Sequence, residues 1–163
     1  MLGRSFSALQ LAAGIALGGS VLAIFIPSFL QNLQASRLTE AVRGVNAIAA
    51  GALAYAHDKP PPEAFPPSAP LTPAEVPRGD RVADPPGTWN HLTWAALGFS
   101  MPHEHYFCFA FESNRGPARS TFVARAHGDL DGDGERSTFE LRGEATIEGA
   151  SILPGLYVDR EVE

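Results

Sequence analysis

No charged residue occurs between Ser5 and Ser36, and this run constrains the chain more than anything else in it. Its apolar centre, LAAGIALGGSVLAIFIPSFL, covers Leu11 to Leu30. As a helix, twenty such residues span a hydrocarbon layer roughly 30 Å thick. Three readings compete: a buried soluble helix, a cleaved export signal preceded by Arg4, and a retained membrane anchor. The run is long and no clear small-x-small site closes it, which favours the anchor. Charge hardly decides orientation, with Arg4 on one side and Arg37, Glu40 and Arg43 on the other. The acidic, proline-rich remainder reads as an exported domain, leaving the short N-terminus inside.

The apolar run passes into QASRLTEAVRGVNAIAAGALAYAH without a turn signal. Leu38, Val42, Val45, Ala49, Ala52 and Ala56 recur at helical spacing, with Arg37, Glu40, Arg43 and Asn46 in other directions. One helix from residue 6 to 57 would be on the order of 75 Å long. Pro27 should bend it. Gly14, Gly18 and Gly19 either permit close helix approach in a membrane or are merely tolerated there. Ten prolines between Pro60 and Pro86 predict a connection over 58–88 that lacks regular structure and wraps the surface. A short helix is expected around His91–Leu97, with Trp89 and Trp94 packing over the junction.

Strands follow in the region 89–163. Phe107, Phe109 and Phe111 share one face of HYFCFAFES. Segments 119–127 and 138–144 alternate in the same way, with Phe122, Ala124, Ala126, Phe139 and Leu141 on the apolar side. GLYVDREVE either adds a last strand or stays loose. The sheet needs an apolar cover, and the amphipathic half of the long helix, 36–57, is the one large candidate. The fold class is therefore α+β, a helix half seated on a small antiparallel sheet. Cys108 lies within an apolar strand and reads as an inert buried thiol. His103 and His105 share a face of an extended segment, but no third ligand stands beside them, so they read as solvated. No nucleophile–base arrangement is evident, which argues against an enzyme. A net charge of −6 gives a nucleic-acid partner no electrostatic support.

The combination resembles the type IV pilins and their pseudopilin relatives. AIFIPSFLQNLQASRLTEAV is similar to the pilin helix at Ile26, Pro27, Phe29 and Leu30. The Trp-containing segment, the aromatic strand and ARAHGDLDGDGERSTFE resemble pilin-like proteins of myxobacterial type. The resemblance covers nearly the whole chain and implies a pilin-like fold. It also implies a subunit or accessory of a pilus or secretion filament, with pilin-like partners and an inner-membrane anchor over 6–35. It sets Phe6 where the mature chain begins, after a leader of residues 1–5. Ser5 then stands where the processing peptidase normally meets glycine, and Gln10 where the family carries a glutamate that pairs with a neighbour's amine. Cleavage before Phe6 and self-polymerisation are accordingly expected to be weak. Cleavage after Gly3 would instead begin the chain at Arg4. The alternative function is an anchored adhesion or binding module that does not polymerise.

One loop carries possible chemistry. Asp129, Asp131, Asp133, Gly134, Glu135, Ser137 and Glu140 match positions 1, 3, 5, 6, 7, 9 and 12 of a calcium-binding loop. The aspartates would surround the cation, Glu135 would offer its carbonyl, and Glu140 would close the site. The flanking strands exclude the helix–loop–helix of a calcium sensor. Two readings stay open: a structural Ca2+ site, or a bare Asx turn between strands.

Overall fold

The computed structural model describes residue 23 and residues 38–160. Helix α1 covers 38–56, and its apolar stripe is the expected one. Ala41, Val45, Ile48, Ala49, Ala52 and Ala56 are buried, with Leu38 and Val42 packed at the margin. The stripe is built of small residues, so the helix lies close to what it covers. A Cβ at Gly44 would come within 2.0 Å of the Phe109 ring, and one at Gly51 within 2.1 Å of the Leu97 carbonyl oxygen. A polar contact fixes the helix in register: Glu40 Oε1 accepts from the backbone N–H of Tyr106 at 2.7 Å and of Phe107 at 3.1 Å.

The proline-rich segment departs from expectation. It forms a 3₁₀ turn at Pro61–Glu63 and a strand, β1, at Ala69–Thr72. Phe65 and its neighbours Ala64 and Pro66 are buried in the core, with Phe65 edge-on to Phe122 at 4.9 Å between ring centres. The segment is thus not merely a surface wrap. Strand β1 pairs with a single neighbour, so only one of its sides must supply ladder hydrogen bonds, and proline is tolerated there.

Helix α2 occupies Leu92–Leu97, as the sequence predicts to within one residue. His91 caps it by accepting from the Thr93 N–H, and Gly98 ends it at φ +62°. Trp94 is fully buried and donates its indole N–H to Thr72 Oγ1 at 3.0 Å.

The sheet continues with β2 Phe107–Asn114, β3 Ser120–Gly128, β4 Ser137–Thr146, β5 Gly149–Ile152 and β6 Tyr157–Asp159. It is antiparallel in the order β1-β2-β3-β4-β5, and β6 pairs with β4 beside β5. The C-terminal stretch therefore adds a strand. Burial in β3 alternates strictly, and β4 does nearly the same. The inner face carries Phe107, Phe109, Phe111, Phe122, Ala124, Ala126, Phe139 and Leu141 under α1. On the outer face Arg125 reaches both Glu112 and Glu140, while Arg142 joins Glu140 and Arg119 joins Glu144. The fold is α+β: a helix over 38–56 packed on an antiparallel sheet.

Among the described residues, no helix is long and apolar enough to cross a membrane. Apart from residue 23, the expected span over 6–35 lies outside the described residues, and so do Ser5, Phe6, Gln10, Gly14, Gly18, Pro27 and Phe29.

Candidate functional site

The loop joining β3 to β4 contains the acidic cluster. Asp129 follows directly on β3 and is only 3% exposed. Its two carboxylate oxygens hold the turn from within. Oδ1 accepts from the Gly132 N–H at 2.7 Å, and Oδ2 from the Gly134 N–H at 3.1 Å. Asp131 Oδ1 accepts from the Asp133 N–H at 3.2 Å, and Asp133 Oδ1 from the Glu135 N–H at 2.7 Å. Successive Asx turns wind the chain so tightly that Gly132 and Gly134 adopt φ of +81° and +98°. One oxygen from each of Asp129, Asp131 and Asp133 then lies within 4.8 Å of the others. Asp131 and Asp133 are exposed and Asp129 is buried. Three carboxylate oxygens this close can hold a hard cation, whose charge would relieve their mutual repulsion.

Of the other expected ligands, the side chains of Ser137 and Glu140 are engaged elsewhere, while Glu135 is expected to act through its backbone carbonyl. Ser137 is buried at the start of β4 and donates its hydroxyl to the Gly128 carbonyl at 3.2 Å, closing the hairpin. Glu135 is ion-paired through its side chain with Arg160. Glu140 does not close the site. Its Oε1 accepts from Arg125 Nε at 2.7 Å and its Oε2 from Arg142 at 2.8 Å, within the outer charge ladder. The cause is the secondary structure after the loop. A helix would bring the twelfth position back, whereas an extended strand carries it roughly 10 Å beyond Ser137. Burial alone would push the Glu140 carboxyl up, but the hydrogen bonds and charges of Arg125 and Arg142 outweigh it and hold the pKa below the ordinary value.

The histidine expectation also changes. His103 is exposed, but His105 is fully buried and not solvated. Its Nε2 donates to Asp84 Oδ2 at 2.9 Å, and the same oxygen accepts the Trp89 indole N–H at 2.6 Å. Asp84 and Glu40 were not singled out from the sequence, because their partners are distant in the chain. No local signal marks either acid, since Glu40 lies between Arg37 and Arg43 and Asp84 follows Asp80 and Arg81. Cys108 is buried as expected, and burial, then the nearby Asp84 charge, pushes its thiol up to about 12. That thiol is inert at neutral pH.

No family model matches the chain, and neither the curated proteins nor the solved structures contain a match to it.

Proposed function

We propose that the chain is a structural, non-enzymatic subunit or accessory of a type IV pilus or type II secretion-like filament. In this reading residues 6–35 anchor it in the inner membrane and the domain from residue 36 onward is exported. Its partners are other pilin-like subunits, with no nucleic acid among them. The observation that carries the reading is the helix over 38–56. Its alanine-rich face is seated on an antiparallel sheet, and its sequence continues N-terminally into a run that is apolar all round. A short amphipathic helix would serve a soluble domain equally well, but the uncharged extension would then expose a large apolar surface to water.

Gln10 supports an accessory position. A carboxylate in the bilayer rewards docking of a subunit that brings an amine, whereas an amide cannot neutralise one. The test is fractionation of cells expressing the intact chain, followed by intact-mass measurement. The chain should stay in the membrane until detergent is added, its exported domain should be digested by protease added to spheroplasts, and its N-terminus should be uncut before Phe6. A chain released without detergent would overturn the anchor, and a mature N-methylated Phe6 would overturn the accessory position in favour of an ordinary filament subunit.

Within the same reading, the cluster of Asp129, Asp131 and Asp133 takes a structural Ca2+ that pins the β3–β4 hairpin in an exported compartment. Without Glu140 the site has fewer protein ligands than a sensor loop, which places it among the weak sites of roughly 10⁻⁴–10⁻³ M. Calcium titrated into the detergent-solubilised full chain should raise its melting temperature, and Asp131→Ala should remove most of that shift. An unchanged melting temperature at several millimolar calcium would leave the loop as a bare turn.

A further inference from the structure

Residues 74–84 lie along the sheet without joining it, and their attachment differs from that of the segments on either side. Within this stretch Pro77 alone is buried, while Val76, Gly79 and Asp84 are half-buried and the rest are exposed. Little apolar surface therefore holds the stretch down. Polar contacts do so instead, at four points in succession. The Glu75 carbonyl accepts from the Cys108 thiol at 3.1 Å. The Gly79 N–H donates to the Asp129 carbonyl at 2.8 Å, where the backbones of Gly79 and Gly132 meet. Val82 and His105 exchange backbone hydrogen bonds of 3.0 and 3.1 Å. Asp84 then accepts from His105 Nε2 and Trp89 Nε1.

These contacts cover the part of β2 and its approach that β1 leaves bare. Strand β1 pairs with β2 at Phe109 and Phe111, and Val82 takes over at His105. Cys108 lies beneath, fully buried, with its thiol hydrogen-bonded to this stretch. Segments with few buried apolar contacts open at far lower free energy than the core strands around them. Here the prolines at 73, 77, 85 and 86 flank and punctuate the stretch and offer no backbone N–H to tie it down further.

We propose that residues 74–84 are a strap that opens as a unit while the sheet stays intact, with Asp84–His105 as its latch and Cys108 as the group it covers. The open form bares the His105–Cys108 edge of the sheet and a thiol that is otherwise sealed. This inference does not rest on the filament reading.

Hydrogen exchange on the detergent-solubilised full chain tests it, with the amides of Gly79 and Val82 compared against those of β3 and β4. The strap amides should exchange by an opening that leaves β3 and β4 protected. Asp84→Ala leaves the buried His105 Nε2 and the half-buried Trp89 Nε1 without this acceptor, and should speed strap exchange about ten- to hundredfold with β3 unchanged. Val82→Pro is the second variant, removing one strap hydrogen bond at an exposed position without altering the Asp84 charge beside Cys108. It should accelerate labelling of Cys108 by a small thiol reagent about tenfold. If the strap amides exchange, and Cys108 labels, only at the rate of the β3 and β4 amides in wild type and both variants, the strap has no motion of its own and the inference is overturned.

Discussion

In β3, Phe122, Ala124 and Ala126 are buried beneath α1, while their neighbours Thr121, Val123, Arg125 and His127 are half-buried on the opposite face. The two faces share a backbone but are held differently. Shape governs the inner one. Phe107 lies over Gly128 and Phe122 over Gly143, each phenylalanine facing the glycine that is its cross-strand partner. Charge governs the outer one, through a ladder in which Arg125 holds Glu112 and Glu140 together. A close-packed face has no room to adjust, whereas a solvated ladder can exchange partners for water.

The sharpest way to break the inner face is to fill one of its vacant positions. A Cβ at Gly143 would come within 2.2 Å of the Phe122 ring and 2.9 Å of the Ser151 carbonyl oxygen. Gly143→Val should therefore cost about 3 kcal/mol in denaturant unfolding. A smaller loss is expected where the helix is tied to the sheet by hydrogen bonds. Glu40→Ala strips the acceptor from the Tyr106 and Phe107 N–H groups and should cost about 2 kcal/mol, measured the same way.

The outer face should respond less. Glu140→Gln weakens two arginine contacts at a largely covered carboxylate and should cost about 1 kcal/mol near neutral pH. Because the folded pKa of Glu140 lies below its unfolded value, its contribution is complete above the unfolded pKa, about 4.3, and is lost as pH falls through the folded one. The wild type and the variant should accordingly converge in acid. The smallest effect concerns His127. Burial, reinforced by Arg125 and Arg136, lowers its pKa against the opposing pull of Glu140. The unfolded chain then takes up the proton first, so stability should decline as pH falls past about 6.5. His127→Gln should flatten that decline between pH 7 and 5 in thermal melts. A steeper slope in the variant would contradict the assignment.

This contrast explains which parts of the fold were legible beforehand. The inner face announces itself because Phe107, Phe109 and Phe111 repeat with the strand period, and the α1 stripe does so at the helical one. Strand β1 was hidden by Pro70 and the prolines around it, since an edge strand with one paired side needs few of the usual strand signals. The aspartate loop misled in one respect: its twelve-residue spacing suits a calcium loop, but β4 begins at Ser137 and commits Glu140 to Arg125 and Arg142. The spacing identified the three aspartates that do converge. His105 and Glu40 were beyond reach because their partners, Asp84 and the N–H groups of Tyr106 and Phe107, lie 21, 66 and 67 residues away. Local patterning reads a residue's own element and says nothing of what crosses over it.

The placement of the aromatic residues has a spectroscopic consequence. The chain has two tryptophans, Trp89 and Trp94, and they sit 5.5 Å apart, edge to face, in one corner of the domain. Trp89 touches Phe99, His105 and Asp84, and Trp94 reaches Thr72. Tryptophan emission therefore reports the corner where β1, α2 and the Asp84 segment meet, and is blind to the hairpin of β4 and β5 on the far side of the sheet. Far-ultraviolet dichroism reports the whole backbone. When the chain is denatured, emission that shifts ahead of the dichroism marks loss of that corner before the sheet, and coincident curves mark a single cooperative transition.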